Sequence, residues 1–289
     1  MPSTVTKPRL RVGVVKMASC DGCQLTLLDL ETELLDLAQR FEIVEFPEAS
    51  SSRSAGPYDV LLVEGSVSTP DQAAEIVELR KQAKRLVTIG ACASYGGIQA
   101  LRNWSDHDAI RAAVYPHPEY IESLATATPV SEHVEVDAEL HGCPISADQL
   151  RELLVSVAVG RRPQIRDEAV CLACKRRSVV CVMDSQGIPC LGPVTRSGCG
   201  ALCPRFGRGC YGCYGPREQA NPASLGRTFA ADDREGVEVS RLFAGFTAWS
   251  APFRGVIDEH GGPPGVLPAT PSVTAGADEP TEGADDARR

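Results

Sequence analysis

An open, doubly wound α/β sheet, followed by a small irregular cysteine-rich module and a disordered tail, is the fold class that this sequence predicts. Three observations carry it. Apolar β-rich runs alternate with amphipathic stretches over residues 10–160. The alternation then stops, and eight cysteines crowd into a Gly- and Pro-rich segment within 161–220. From Gly261 to residue 289 the chain is rich in Pro, Gly and Ala, acidic and without aromatics.

The elements follow in order. RVGVVKM (11–17) reads as a strand. LTLLDLETELLDLAQRF places Leu27, Leu30, Leu34, Leu37 and Phe41 at helical spacing and predicts one amphipathic helix. FEIVEF (41–46) and YDVLLVEG (58–65) read as strands, and TPDQAAEIVELRKQAKR (69–85) as a helix with a Thr cap and Pro in its first turn. LVTIG (86–90) and EHVEVDAEL (132–140) supply two more strands, and SADQLRELLVSVAVG (146–160) the last helix of a flavodoxin-like domain spanning 10–160.

Residues 161–220 have too little apolar periodicity to build a core, so something other than side-chain packing has to hold them together. Within 221–260, VSRLFAGFTAWSAPF (239–253) predicts a helix whose Leu242, Phe243, Phe246 and Trp249 pack on its own domain. Residues 261–289 are expected to be disordered.

Charge and composition narrow the function. A net charge of -9 argues against nucleic acid as the main partner, because phosphate binding needs a basic face. No apolar run is long enough for a transmembrane segment. The start carries neither an apolar signal region nor a twin-Arg motif, which predicts a cytoplasmic protein. Twelve cysteines in a reducing compartment point away from disulfides and toward metal or redox chemistry.

Topology sorts four of them. Cys20 and Cys23 form a C-x-x-C after the first strand, Cys92 follows LVTIG in GACASYGG, and Cys143 follows EHVEVDAEL in HGCP. The carboxyl ends of strands in a parallel α/β sheet share one edge, so these four distant cysteines are expected to converge on a metal centre there. Helix N-termini at that edge suit an anionic cluster, and Gly22, Gly90, Gly96, Gly97 and Gly142 leave room for a bulky ligand. The other eight, Cys171, Cys174, Cys181, Cys190, Cys199, Cys203, Cys210 and Cys213, open and close on C-x-x-C pairs. Their spacing favours iron–sulfur ligation and leaves zinc, in a zinc-stabilised interaction protein, as the alternative.

Other constellations carry less. The five histidines show no metal spacing, and His141 is expected to be a hydrogen-bonded loop residue. GACASYGG lacks the Lys and Ser/Thr of a phosphate loop. Lys175, Arg176, Arg177, Arg205 and Arg208 would screen cluster charge or meet an acidic partner.

Through SCDGCQ, EGSV, GACASYGG, HGCP, CLGPVTRSGCGALCP and CYGC, residues 10–217 closely resemble the small, electron-transferring subunit of [NiFe] hydrogenases. The cytoplasmic branch with sulfhydrogenase delta and coenzyme-F420-type small subunits, within the superfamily of the NADH:ubiquinone oxidoreductase 20 kDa subunit, is the best match. The resemblance implies a proximal [4Fe-4S] cluster on Cys20, Cys23, Cys92 and Cys143, a distal one on Cys171, Cys174, Cys181 and Cys190, and a medial cluster on Cys199, Cys210 and Cys213, [3Fe-4S] unless the additional Cys203 completes it as a third [4Fe-4S] cluster. Cys171 stands where periplasmic members have histidine. Cys203 is an additional cysteine beside a medial site that in many of them is [3Fe-4S].

It also implies partners: a large subunit bearing the nickel–iron site, and iron–sulfur or flavin subunits that reduce NAD(P) or another soluble acceptor. The chain would serve an oxidoreductase acting on hydrogen without independent catalysis. A Complex I-type cluster subunit is the related alternative, but it has adjacent cysteines at the position of Cys20 and Cys23 and no eight-cysteine extension.

Overall fold

The computed structural model describes residues 9–31, 33, 36, 38–51, 56–232 and 234–263. Five parallel strands, β1 (Leu10–Lys16), β2 (Phe41–Glu45), β3 (Val60–Glu64), β4 (Leu86–Ile89) and β5 (Ala138–Leu140), form one sheet in the order β2-β1-β3-β4-β5. All four ladders run parallel. The order reverses direction at β1 and β3, as in flavodoxin-like sheets.

Apart from the helical residues Glu33, Asp36 and Ala38, the α-helices among the described residues are, in chain order, α1 (Gly22–Leu28), α2 (Pro70–Gln82), α3 (Gly90–Tyr95), α4 (His107–Val114), α5 (Ala147–Val159), α6 (Val170–Arg176), α7 (Val182–Gln186), α8 (Leu202–Arg205), α9 (Pro222–Ala231), α10 (Gly236–Phe243) and α11 (Ala251–Glu259). The caps explain the sharp boundaries of α2 and α5. Thr69 and Ser146 each accept the backbone N–H of the third residue on, and α5 stops where Gly160 turns left-handed at φ 75°.

Helices cover both faces, so the central strands are apolar throughout rather than alternating. One face packs Val12, Val14, Val60 and Leu62 against Leu27 of α1 and Leu150, Leu153 and Leu154 of α5. The other packs Val15, Leu61, Val63 and Leu86 against Ile76 of α2.

Three expected elements differ. The helix expected across 25–41 starts earlier and is interrupted after Leu28, where Glu31 adopts φ 44°, a value a right-handed helix does not accommodate; Glu33, Asp36 and Ala38 are helical again. Phe41 belongs to β2, while Leu34 and Leu37 lie outside the described residues. The strand expected over 132–140 shrinks to Ala138–Leu140. Val134 and Val136 alternate because they pack on the sheet core, and Asp137 ties the segment to β4 just ahead of the ladder, its N–H donating to the Leu86 carbonyl at 2.9 Å and its carboxylate accepting the Leu86 N–H at 2.7 Å. The helix expected over 239–253 is two, α10 and α11, joined through Gly245 and restarted with Pro252 in the first turn of α11. Phe243 and Phe253 still share one core, with Phe229 of α9 and with Leu191 and Val194 of the cysteine-rich segment. Of the tail expected to be disordered, residues 264–289 lie outside the described residues.

Candidate metal centre

The carboxyl edge of the sheet gathers the first four cysteines. Cys20 and Cys23 follow β1, Cys92 lies in α3 after β4, and Cys143 lies three residues beyond β5. Backbone hydrogen bonds tie these loops together: Ala18 and Ser66 exchange N–H bonds at 3.0 and 2.9 Å, and the Ala91 N–H donates to the Gly142 carbonyl at 2.7 Å. Two glycines let sulfur approach the backbone. Gly90 has φ 90° and a Cβ there would collide with Cys23 Sγ; Gly97 has φ 66° and its Cβ would stand 2.5 Å from Cys92 Sγ.

Electrostatics show the four thiols as one neighbourhood. Burial pushes the Cys143 thiol up to about 11, and the negative charge of Cys92 and Cys20 adds to it. Burial likewise raises Cys23, reinforced by Glu64, Cys92 and Cys143, and raises Cys92, reinforced by Cys20 and Glu64. Thiols so placed become thiolates readily only when a cation neutralises them, which is the condition that metal ligation meets.

Glu64 ends β3 at 2% exposure. Its Oε1 accepts the Cys23 N–H at 3.1 Å and its Oε2 the Gln24 N–H at 3.3 Å. Burial raises its pKa against the lowering by those N–H groups. Sequence reasoning assigned Glu64 no role. The available signal was a carboxylate closing the otherwise apolar run VLLVE.

The eight later cysteines influence one another, with contacts that also cross between the two expected sets. Burial takes Cys171 to about 11, and Cys190, Cys174 and Cys181 add to it; Cys174, also raised mainly by burial, feels Cys190, Cys181 and Cys199. Burial takes Cys213 to about 12, with Cys199, Cys143 and Cys203 adding; Cys203 is raised by burial and then by Cys199 and Cys190. Cys210, raised by burial, borders both groups: it feels Cys190 and Cys213, and its N–H donates to Cys190 Sγ at 3.1 Å.

A cavity of about 510 Å³ opens where the sheet edge meets this segment. Cys143, Cys199, Cys203 and Cys213 line it together with Ile145 and Tyr214. Among the described residues, no three His, Cys, Asp or Glu side chains are drawn together tightly enough for a single metal ion. Cysteine-only donor sets of this size fit iron–sulfur clusters by the chemistry of thiolate sulfur.

His141 is a buried stacking residue whose Nε2 lies 3.7 Å from Glu139 Oε2. Its ring lies 5.3 Å from that of Tyr95, and its Nδ1 has no hydrogen-bond partner. Burial, then Arg196, lowers its pKa to about 3. Of the basic residues, Arg176 pairs with Glu168, and Arg177 lines the cavity.

Comparison with known proteins agrees with this architecture. The family described as NADH ubiquinone oxidoreductase, 20 Kd subunit, matches residues 20–157. Sulfhydrogenase 2 subunit delta of Pyrococcus furiosus is 35% identical over 240 residues, covering 83% of this chain and 100% of the relative. In Methanococcus voltae, one subunit of the F420-non-reducing hydrogenase vhu is 30% identical over 275 residues, 84% of this chain and 96% of the relative. Among solved structures, a chain of an NAD+-reducing [NiFe]-hydrogenase in the H2-reduced state superposes with TM-score 0.51 at 28% identity over 55% of this chain and 96% of that one. A chain of the [NiFeSe] hydrogenase of Desulfovibrio vulgaris Hildenborough, at 18% identity and TM-score 0.51, shares the fold over 75% of this chain and 96% of its own. With its sheet order, its cysteine-bearing edge and relatives matched over almost their full length, the chain belongs to the family of hydrogenase small subunits.

Proposed function

We propose that the chain is the electron-transfer subunit of a soluble [NiFe] hydrogenase, relaying electrons between the nickel–iron site of a separate large subunit and an acceptor subunit linked to NAD(P) or another soluble carrier. The observation that carries this reading is the gathering of four cysteines at the carboxyl edge of the sheet beside a cavity where Cys143 meets Cys199, Cys203 and Cys213 of the cysteine-rich segment. Cys20, Cys23, Cys92 and Cys143 would hold the proximal cluster, Cys199, Cys203, Cys210 and Cys213 the medial one, and Cys171, Cys174, Cys181 and Cys190 the distal one. Each cluster supplies a one-electron couple when bound. The protein's share is to deprotonate and space the ligands, exclude water and set the charge around each sulfur.

The cavity between Cys143 and Cys199 supports a medial station next to the proximal one. It also supports a ligand role for Cys203, which lines it. The 161–220 segment acts in this reading as a two-cluster module on a flavodoxin-like domain. A cytoplasmic location follows from the same reading, and no helix among the described residues is long and apolar enough to cross a membrane.

Metal analysis of the anaerobically purified chain tests the assignment. About twelve irons per chain and no zinc are expected; stoichiometric zinc in place of iron in the module would refute it. Cys203→Ser is expected to remove about one iron and to produce the spectrum of a three-iron cluster. Unchanged iron content and spectra would remove Cys203 from the ligand set.

A further inference from the structure

We propose that fixed charge around the three cysteine sets grades their affinity for electrons, lowest beside Glu64 at the sheet edge and highest at Cys171, Cys174, Cys181 and Cys190, so that electrons run downhill from the edge outward. This rests on the cluster assignment above. A four-iron cluster on four thiolates gains negative charge when reduced, so a nearby anion lowers its potential, while a nearby cation or a donated hydrogen bond raises it.

At the sheet edge the fixed charge is negative. Glu64 is buried among Cys23, Cys92 and Cys143, each of which feels its charge. Its carboxylate also takes up the N–H groups of Cys23 and Gln24, at 3.1 and 3.3 Å, so these are turned away from sulfur. The nearby Lys16 is paired with Asp21 at 2.5 Å. Donation to sulfur is present at this edge as well, from the N–H groups of Ile145 to Cys23 and Ile98 to Cys92.

Outward, the sign reverses. Residues 171–217 contain seven basic residues (Lys175, Arg176, Arg177, Arg196, Arg205, Arg208 and Arg217) and one acidic residue, Asp184, in a chain of net charge -9; Arg176 is paired with Glu168 and Arg196 with Asp167, so the positive balance is carried by the other five. Lys175 acts on Cys171 and Arg208 on Cys203, each favouring the thiolate. Cys190 Sγ accepts two N–H bonds, from Cys210 at 3.1 Å and Gly192 at 3.4 Å, and Cys210 Sγ accepts one from Gly212 at 3.5 Å. Each transfer oxidises one cluster and reduces the next by one electron, with no bond made or broken and no other reactant.

An EPR-monitored redox titration of the full iron-loaded chain tests this. Iron analysis comes first, and a chain without three clusters refutes the functional reading rather than the gradient. With three clusters present, Glu64→Gln is expected to raise the potential of the lowest-potential cluster alone. Its reduced-to-oxidised ratio at a fixed potential should change about tenfold, equivalent to about 59 mV for a one-electron couple. The gradient is overturned if the responding cluster is not the lowest, or if none responds. Should Glu64→Gln fail to load iron, Lys175→Gln decides. It is expected to lower the highest-potential cluster, by a smaller factor because Lys175 is exposed. A shift confined to the lowest cluster, or no shift, overturns the proposal.

Discussion

Gly97 shows how narrowly the metal edge is drawn at the level of single residues. Its φ of 66° and the 2.5 Å from a would-be Cβ to Cys92 Sγ mean that Gly97→Ala must move either the chain or the sulfur. We expect a loss of about 1–3 kcal/mol in stability together with lower iron occupancy at the sheet edge, checked by thermal unfolding and metal analysis of the variant. Asp59 carries a pH-dependent contribution of the opposite kind. Lys84 at 2.6 Å, and the Arg11 N–H at 2.9 Å, hold its pKa below the ordinary 3.8. Because the folded value is depressed, the stabilisation is complete above the ordinary value and is lost as pH falls through the folded one. Asp59→Asn is therefore expected to lower the unfolding free energy at pH 7 by about 1–2 kcal/mol, a deficit that disappears in acid titrations. The placement of Cys20, Cys23, Cys92 and Cys143 along one edge was legible in the sequence because topology alone puts strand ends together. Glu64 was not, because nothing in a strand's composition says whether its last side chain is solvated or turned inward onto an N–H pair.

Among the elements, legibility followed local chemistry. The Thr69, Ser146 and Gly160 boundaries were readable because capping is decided within a few residues. The division of 239–253 was not, because periodicity in Phe243, Phe246 and Trp249 persists whether the chain continues or turns at Gly245. The turn has a purpose: the Thr247 hydroxyl donates to the Gly212 carbonyl at 2.8 Å, fastening the helices to the cysteine-rich segment. Phe253 lies fully buried at the centre of the core shared by α9, α10, α11, Leu191 and Val194. Phe253→Ala is expected to cost about 3–5 kcal/mol, measured by denaturant unfolding with the slope unchanged. A cost below about 1 kcal/mol would mean that these helices contribute little to the whole.

Across the whole molecule, the two halves should differ in what holds them. The sheet has apolar cores on both faces, whereas the buried apolar group around Val170 and Val182 is small and includes Cys190 and Cys210 themselves. Removal of iron is therefore expected to abolish hydrogen-exchange protection of amides in 171–213 while leaving β1, β3 and β4 protected. Equal loss in both regions would show a single cooperative unit. The resemblance to hydrogenase small subunits supplied the division of the eight later cysteines, which spacing by itself left open. Cys210, bordering both sets, shows why: chain distance does not reveal which side of a turn a sulfur faces.

The cavity bounded by Cys143 on one side and Cys199, Cys203 and Cys213 on the other has walls from both halves of the chain. Under the proposed assignment, a cluster seated there would act as mortar as well as conductor. Cells short of iron would then hold a subunit whose halves are loosely joined, so that iron supply sets its lifetime against proteolysis before it sets any rate of electron flow.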